Sequence, residues 1–139
     1  MPQSAKTLQV GDSYGAVVVD CLERAQIIDY EAAVGLNAPI HTDDNFAIRA
    51  GYPSVFAPGM LTMGVTARML TDWGGDGRLV RFGGRFLNQV WPGDTLTATA
   101  RIEEVRMDQG RWYAELVLST LNQNTIEVFR GTACVLVDP

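Results

Sequence analysis

Residues 58–73 read PGMLTMGVTARMLTDW, and this stretch decides the fold. Apolar or small residues recur along it at every fourth position, and others widen the same side of the stretch: Leu61, Val65, Met69 and Trp73, together with Met60, Gly64, Ala67 and Leu70. This spacing predicts one long, mostly buried helix that opens at Pro58. Gly64 and Ala67 indicate close packing against a sheet. Glycines at positions 74, 75 and 77 end the helix.

Everything after this helix is predicted to form strands. Four strands are expected over residues 78–90, 95–107, 112–122 and 125–137, with turn residues between them. Along the second strand, apolar residues alternate with polar ones: Leu96, Ala98, Ala100 and Ile102 against Thr95, Thr97, Thr99 and Arg101. One face of the sheet is therefore expected to be buried and the other exposed to solvent. We expect an α+β fold in which a four-stranded antiparallel meander curves around the helix.

The first half of the chain reads as one strand and two further helices. A strand is predicted over residues 14–21, a helix over 23–34 that stops at Gly35, and a short helix over 43–50 with an acidic cap. A length of 139 residues with 47% hydrophobic residues suits a single domain over residues 1–139.

Composition limits the classes of partner. A net charge of −5, with 11 basic and 16 acidic residues, argues against nucleic-acid binding, which needs an excess of clustered Lys and Arg. No apolar run reaches membrane-spanning length, so we expect a soluble, cytoplasmic protein without a membrane partner. Cys21 and Cys134 are far apart and lack metal-ligand spacing. They are expected to be buried free thiols on strands.

His41 is the only histidine of the chain and lies between two predicted helices. Imidazole is the only side chain whose unperturbed pKa lies near neutrality, so His41 is a candidate general base. The alternative is a structural histidine that caps a turn or satisfies a buried carbonyl.

Several short motifs occur in a fixed order along the chain. They are Val10-Gly-Asp12, Gly35 with Pro39-Ile-His41 and Asp43, Ala47 with Gly51-Tyr52, Ala57-Pro-Gly-Met-Leu61, Arg81-Phe82 with Phe86, and Val90-Trp-Pro-Gly-Asp-Thr-Leu96. In this order they resemble the MaoC-like hydratase/dehydratase family of hot-dog folds, over nearly the whole chain. The resemblance implies a single hot-dog domain, with a curved antiparallel sheet wrapped around a long central helix.

The resemblance also implies a reaction. In such hydratases an Asp and a His hold one water and add it to a trans-2-enoyl thioester, giving an (R)-3-hydroxyacyl product without a cofactor. His41 matches the family's His, whereas Leu36 stands where the family has its catalytic Asp and Ala38 where it has Asn. Asn37 is the nearest polar residue and is expected to position the water, with an ordinary turn residue as the alternative.

Two more positions depart from the family pattern. Pro58 stands in a loop that usually reads Ala-His-Gly-Met, and Ala67 falls near a hydroxyl that supports the catalytic Asp in some relatives. Gly59, in contrast, matches the family's oxyanion donor at the N-terminus of the long helix, where the helix dipole favours negative charge. A glycine needed only to begin the helix is the alternative.

A basic patch at Arg78, Arg81 and Arg85 suggests how the substrate is held. Arg81 and Arg85 share one face of a predicted strand and are candidates for the phosphates of coenzyme A, although a solvated sheet face explains them equally well. Acyl-CoA is favoured over acyl carrier protein, because that carrier is acidic and this chain, with a net charge of −5, is acidic as well.

Three hypotheses follow. The first is a hydro-lyase acting on trans-2-enoyl-CoA and 3-hydroxyacyl-CoA, with His41 as base. The second is a degenerate, non-catalytic subunit of a heteromeric hot-dog dehydratase, and the third a hot-dog thioesterase or biosynthetic cyclase. An exposed sheet edge also predicts a homodimer, or a heterodimer with a related hot-dog chain.

Overall fold

The computed structural model describes residues 2–139 as a five-stranded antiparallel sheet with one long helix packed against it. In chain order the elements are β1 (Ser13–Val19), α1 (Arg24–Val34), a 3-10 helix (Pro39–His41), α2 (Asp44–Arg49), α3 (Gly59–Gly74), β2 (Leu79–Phe86), β3 (Leu96–Asp108), β4 (Arg111–Leu121) and β5 (Glu127–Val137). Helix α3 contacts β1 and β2, which are the two edge strands. The sheet therefore curves around the helix, and the expected α+β hot-dog architecture is confirmed.

The order of strands differs from the predicted four-stranded meander. The sheet runs β1-β3-β4-β5-β2, so only β3, β4 and β5 follow one another as a meander. Strand β2 pairs with β5 instead of β3, with Gly84 opposite Gly131. Residues 87–95 connect β2 to β3 and are longer than the roughly two to five residues of a hairpin loop, so adjacency in sequence does not specify pairing here.

Helix α3 is confirmed, but part of its predicted buried face is wrong. The buried residues are Leu61, Thr62, Thr66, Met69, Leu70 and Gly74. Met60 is 57% exposed, and a Cβ added to Gly64 would meet nothing within 4 Å. Met60 and Gly64 each precede a buried threonine, Thr62 or Thr66, by two residues. Two residues turn a helix by about 200°, so both positions point away from the sheet. Close packing comes from Gly74, where a Cβ would lie 2.7 Å from Cγ1 of Val135.

Local signals in the first half of the chain are confirmed. Gly35 caps α1 in the left-handed conformation with φ of 70°, and the Asp43 side chain accepts hydrogen bonds from two amides at the start of α2. The alternation of buried and exposed residues in β3 is also confirmed.

The two cysteines have different environments. Cys134 is a buried free thiol in β5, as expected, but Cys21 is exposed. The prediction for Cys21 is wrong because β1 ends at Val19, and Cys21 follows it in a bend with a φ of 52°. No helix within residues 2–139 has both the length and the apolar character needed to cross a membrane.

The close approach of β2 and β5 gives a stability test. A Cβ at Gly84 would overlap the carbonyl oxygen of Arg130 and the buried ring of Phe129. We expect Gly84→Ala to lower the free energy of unfolding by about 1–3 kcal/mol, because backbone and a packed ring must shift. The measurement is urea unfolding followed by circular dichroism. Gly83→Ala is the matched control, since a Cβ there meets nothing within 4 Å, and equal stability of the two variants would contradict this account of the sheet.

Candidate active site

His41 lies at the end of the 3-10 helix between α1 and α2 and is half-buried. Its Nδ1 is 2.6 Å from the carbonyl oxygen of Phe56. A carbonyl oxygen only accepts hydrogen bonds, so Nδ1 donates its proton there and Nε2 keeps a lone pair. The His41 ring also meets the Phe56 ring edge to face, with 5.0 Å between centroids. His41 is thus held in an orientation and a tautomer suited to a general base acting through Nε2.

Asp44 fixes the loop that carries Phe56. Its Oδ1 accepts hydrogen bonds from the backbone N–H of Val55 at 3.0 Å and from the Arg24 guanidinium at 2.9 Å. The Val55 amide, followed by Arg24, lowers the pKa of the Asp44 carboxyl. This carboxylate ties the start of α1, the start of α2 and the segment before α3 together, and so holds the carbonyl to which His41 is bonded.

A cavity of about 230 Å³ opens beside the first turn of α3. Its lining consists of Phe56, Ala57, Gly59, Thr62 and residues 86–90. His41 is not among the lining residues and adjoins the cavity through its contact with Phe56. Ligand pockets usually have volumes of about 300–1,000 Å³. A cavity of this volume can enclose a small ligand or one part of a larger ligand.

Gly59 presents a backbone donor to this cavity. It is the first residue of α3, so its N–H has no acceptor within the helix and lies at the positive end of the helix dipole. A Cβ at this position would lie 2.8 Å from the ring of Phe86. Only glycine lets that ring close over the first turn of the helix, so Gly59 supplies both a donor and a close-packed wall.

The structure does not place Leu36 or Asn37, the positions at and beside the catalytic Asp that the resemblance implies, in the cavity. Leu36 is 41% exposed, and Asn37 is exposed as well. Leu36 donates its N–H to the carbonyl oxygen of Glu31, which completes the end of α1. The Leu36 side chain cannot accept or donate a proton.

Three polar residues of the cavity were missed from the sequence. Thr62 is 2% exposed and lines the cavity one turn into α3. Asn88 donates from Nδ2 to the carbonyl oxygen of Glu127, which leaves its Oδ1 unused by this bond, and Gln89 lies beside it. Threonines within the mostly apolar stretch that forms α3 were the available signal for Thr62, whereas nothing local marks Asn88 or Gln89.

Arg81 lies on the outer face of the sheet and is ion-paired with Glu115. Arg106 bonds the same carboxylate at 3.0 Å. The hydrogen bond from Arg81, helped by Arg106, lowers the pKa of Glu115 against the opposing effect of its burial. The structure therefore does not bring Arg81 into the cavity beside Gly59.

Arg85 lines a separate groove on the outer sheet face, where it lies opposite Arg130 in the pairing of β2 with β5. Arg130 pairs with Glu127 at 2.6 Å, but no carboxylate within residues 2–139 forms an ion pair with Arg85. Leu87 lines both this groove and the cavity beside Gly59, so the two are adjacent. Arg85 thus has no carboxylate partner within residues 2–139 and lies in a groove that adjoins the cavity.

Metal ligation has little support in the described part of the chain. Residues 2–139 contain no group of three or more His, Cys, Asp and Glu side chains placed to hold a metal ion. The chemical groups available at the site are therefore imidazole, backbone N–H, hydroxyl and amide.

Comparison with known proteins identifies the family of this chain. A family model described as "MaoC like domain" matches residues 5–127. Enoyl-CoA hydratase ChsH3 of Mycobacterium tuberculosis is 37% identical over 62 residues, which are 42% of this chain and 22% of that protein. Peroxisomal enoyl-CoA hydratase 2 of Arabidopsis thaliana is 33% identical over 93 residues, which are 63% of this chain and 30% of that protein. The matched segment thus spans less than a third of either relative.

The solved structures agree on the fold. The unliganded R-hydratase PhaJ1 from Pseudomonas aeruginosa superimposes with a TM-score of 0.87 and 19% sequence identity, covering 99% of this chain and 86% of that one. A match to the family model over most of the sequence is the stronger finding. The chain belongs to the MaoC-like domain family.

Proposed function

We propose that this chain binds acyl thioesters of coenzyme A and catalyses the reversible addition of water to trans-2-enoyl-CoA. The observation that carries the proposal is the position of His41 against Phe56, beside a cavity to which Gly59 presents its free N–H. An acid–base group and an oxyanion donor are the two elements that such an addition needs first. The enoyl-CoA hydratases among the relatives support the same chemistry.

In the proposed reaction the thioester oxygen accepts a hydrogen bond from the N–H of Gly59. Nε2 of His41 takes a proton from water while the water oxygen forms a bond to C3 of the substrate. The electron pair of the C2=C3 bond moves towards the thioester oxygen, where the positive end of α3 stabilises the charge. The imidazolium then returns the proton to C2, so one water is added and His41 is regenerated.

We further propose that the coenzyme A portion lies outside the cavity, along the outer face of β2. Arg85 is the first candidate to bind its phosphates, since it is free and adjacent to the cavity. Arg81 contributes to the same positive field while it stays paired with Glu115. The net charge of −5 favours acyl-CoA over acyl carrier protein as the substrate, because that carrier is itself acidic.

The first test of the proposed function concerns His41. We expect His41→Ala to abolish hydration of crotonyl-CoA, with kcat/KM falling by about 100-fold or more, because no other group of the proposed scheme removes the proton from water. The measurement is the loss of the enoyl-thioester absorbance band. Thermal unfolding of the same variant is the control, and unchanged turnover in a folded His41→Ala protein would refute the role of this histidine.

The second test concerns Arg85. We expect Arg85→Ala to raise KM for crotonyl-CoA about five- to tenfold, which corresponds to one lost charge-assisted hydrogen bond of about 1–1.4 kcal/mol. Crotonyl N-acetylcysteamine has the same acyl thioester without phosphates and should be turned over equally by both proteins. An equal rise in KM for both substrates in Arg85→Ala would show that Arg85 does not bind the coenzyme A phosphates.

A second candidate function is a non-catalytic subunit that completes the site of a related hot-dog chain. Leu36 favours this candidate function, because a leucine cannot act as the acid–base carboxylate that the resemblance implies at that position. His41 would then have to act without a carboxylate beside it. The edge strand β2 and its surroundings also expose apolar side chains, among them Val80, Phe86 and Leu87. An unpaired edge with exposed apolar residues suits pairing with a second hot-dog chain, either a copy or a relative.

The third test separates the two candidates. If the chain is a catalyst, the purified wild type hydrates crotonyl-CoA on its own, and Leu36→Asp changes the rate only modestly. If it is a subunit without activity, the wild type is silent and Leu36→Asp gains turnover, because the carboxylate restores a second acid–base group. Light scattering on the same samples reports whether the chain pairs with itself. Leu36→Asn is the matched control, since its amide has a similar shape but cannot take a proton.

A further inference from the structure

A threonine hydroxyl at the cavity has no partner within the protein. Thr62 lines the cavity and is 2% exposed, and its Oγ1 forms no hydrogen bond within residues 2–139. Among the non-exposed residues of this range, Oε1 of Glu31 is the only side-chain oxygen or nitrogen that is both unpaired and fully shielded from solvent. Oγ1 of Thr62 is therefore accessible, and the space that it faces is the cavity beside Gly59. A buried hydroxyl in this position is available to a ligand.

The next hydroxyl on the same face of α3 is fully paired. Thr66 donates to the carbonyl oxygen of Thr62 at 3.0 Å, and its Oγ1 lies 2.7 Å from Oγ1 of Thr120. Since Thr66 has one proton and uses it on the carbonyl, Thr120 is the donor in the second bond. Thr66 and Thr120 are both 0% exposed and neither lines the cavity. The protein thus pairs the hydroxyls beneath the cavity and leaves the one at its wall for a ligand.

The spacing of Gly59 and Thr62 sets which part of a substrate the hydroxyl meets. Both residues line the cavity, and three residues of an α-helix rise about 4.5 Å along its axis. When the thioester oxygen accepts a hydrogen bond from the N–H of Gly59, this separation is comparable with the distance from C1 to C4 of an extended acyl chain. A chain that has only carbon at C4 would displace water from the Thr62 hydroxyl without replacing its hydrogen bond, which is unfavourable.

We propose that the site selects short enoyl-CoA substrates with a hydroxyl group on C4, and that Thr62 is the specificity-determining residue that binds this group. This inference rests on the proposed hydration activity and names its substrate class. The threonine hydroxyl can donate to the C4 hydroxyl or accept from it. Oδ1 of Asn88, which the bond to Glu127 leaves unused, is a second acceptor in the cavity lining. Addition of one water across C2=C3 then gives a 3,4-dihydroxyacyl-CoA, and the C4 hydroxyl is unchanged.

The test compares two substrates of equal size. 4-Hydroxycrotonyl-CoA and trans-2-pentenoyl-CoA have the same number of non-hydrogen atoms and differ in a hydroxyl or a methyl group on C4. We expect the wild type to hydrate the hydroxylated substrate with a kcat/KM about tenfold higher, as one neutral hydrogen bond provides. The measurement is the loss of the enoyl-thioester absorbance band.

Variants of Thr62 assign this preference to its hydroxyl. Thr62→Val keeps the shape of the side chain and should lose the preference or favour trans-2-pentenoyl-CoA, with Tm close to that of the wild type because Oγ1 has no partner to lose. Thr62→Ser keeps the hydroxyl and should keep the preference. Thr71→Val is the matched control, since Thr71 lies on the same helix outside the cavity lining, with its hydroxyl bonded to the carbonyl of Arg68 at 3.1 Å. It should show the wild-type preference.

The remaining outcomes overturn one claim or both. Turnover of both substrates without a preference for the hydroxylated one, or a preference that persists in Thr62→Val, would refute the role of Thr62 and leave the proposed function standing. Thr62→Ala makes the same comparison if the valine variant does not fold. If the wild type hydrates neither thioester, both serve as ligands in calorimetric titrations. Binding of 4-hydroxycrotonyl-CoA about tenfold tighter would then support the specificity and refute hydration, whereas equal binding would refute both.

Discussion

The fit of α3 into the curved sheet is the constraint on which the rest of this structure depends. The sheet closes around the helix because the strands present small side chains to it, and the buried alanines at positions 98, 100, 114 and 133 are the clearest examples. Gly74 allows the same close packing at the far end of the helix, where any Cβ would collide with Val135. With the helix held along its length, its first turn is fixed at the open end of the sheet. The N–H of Gly59 and the hydroxyl-bearing side chain of Thr62 are positioned by that packing.

Local features of the fold could be predicted from the sequence. The period of α3, the alternation in β3, the Asp43 cap and the stop at Gly35 each depend on residues a few positions apart, and each is found in the structure. The position of β2 could not be predicted, because its pairing with β5 depends on distant residues such as Gly84 and Gly131. The exposed face of α3 escaped prediction for a related reason. A sequence period identifies a helix face but not how far the sheet wraps around it.

In the candidate site, too, some residues are recognisable from the sequence and others only from the tertiary structure. His41 and Gly59 stand out in the sequence because one is the sole imidazole and the other lies at the start of the strongest helix. Asn88 shares their neighbourhood only through the folding of β2 against α3, and no spacing in the sequence reveals it. The ion pair of Arg81 with Glu115 joins β2 to β4, two strands that are not neighbours in the sheet. Residue type therefore predicted candidates, and tertiary structure decided which of them are free to bind.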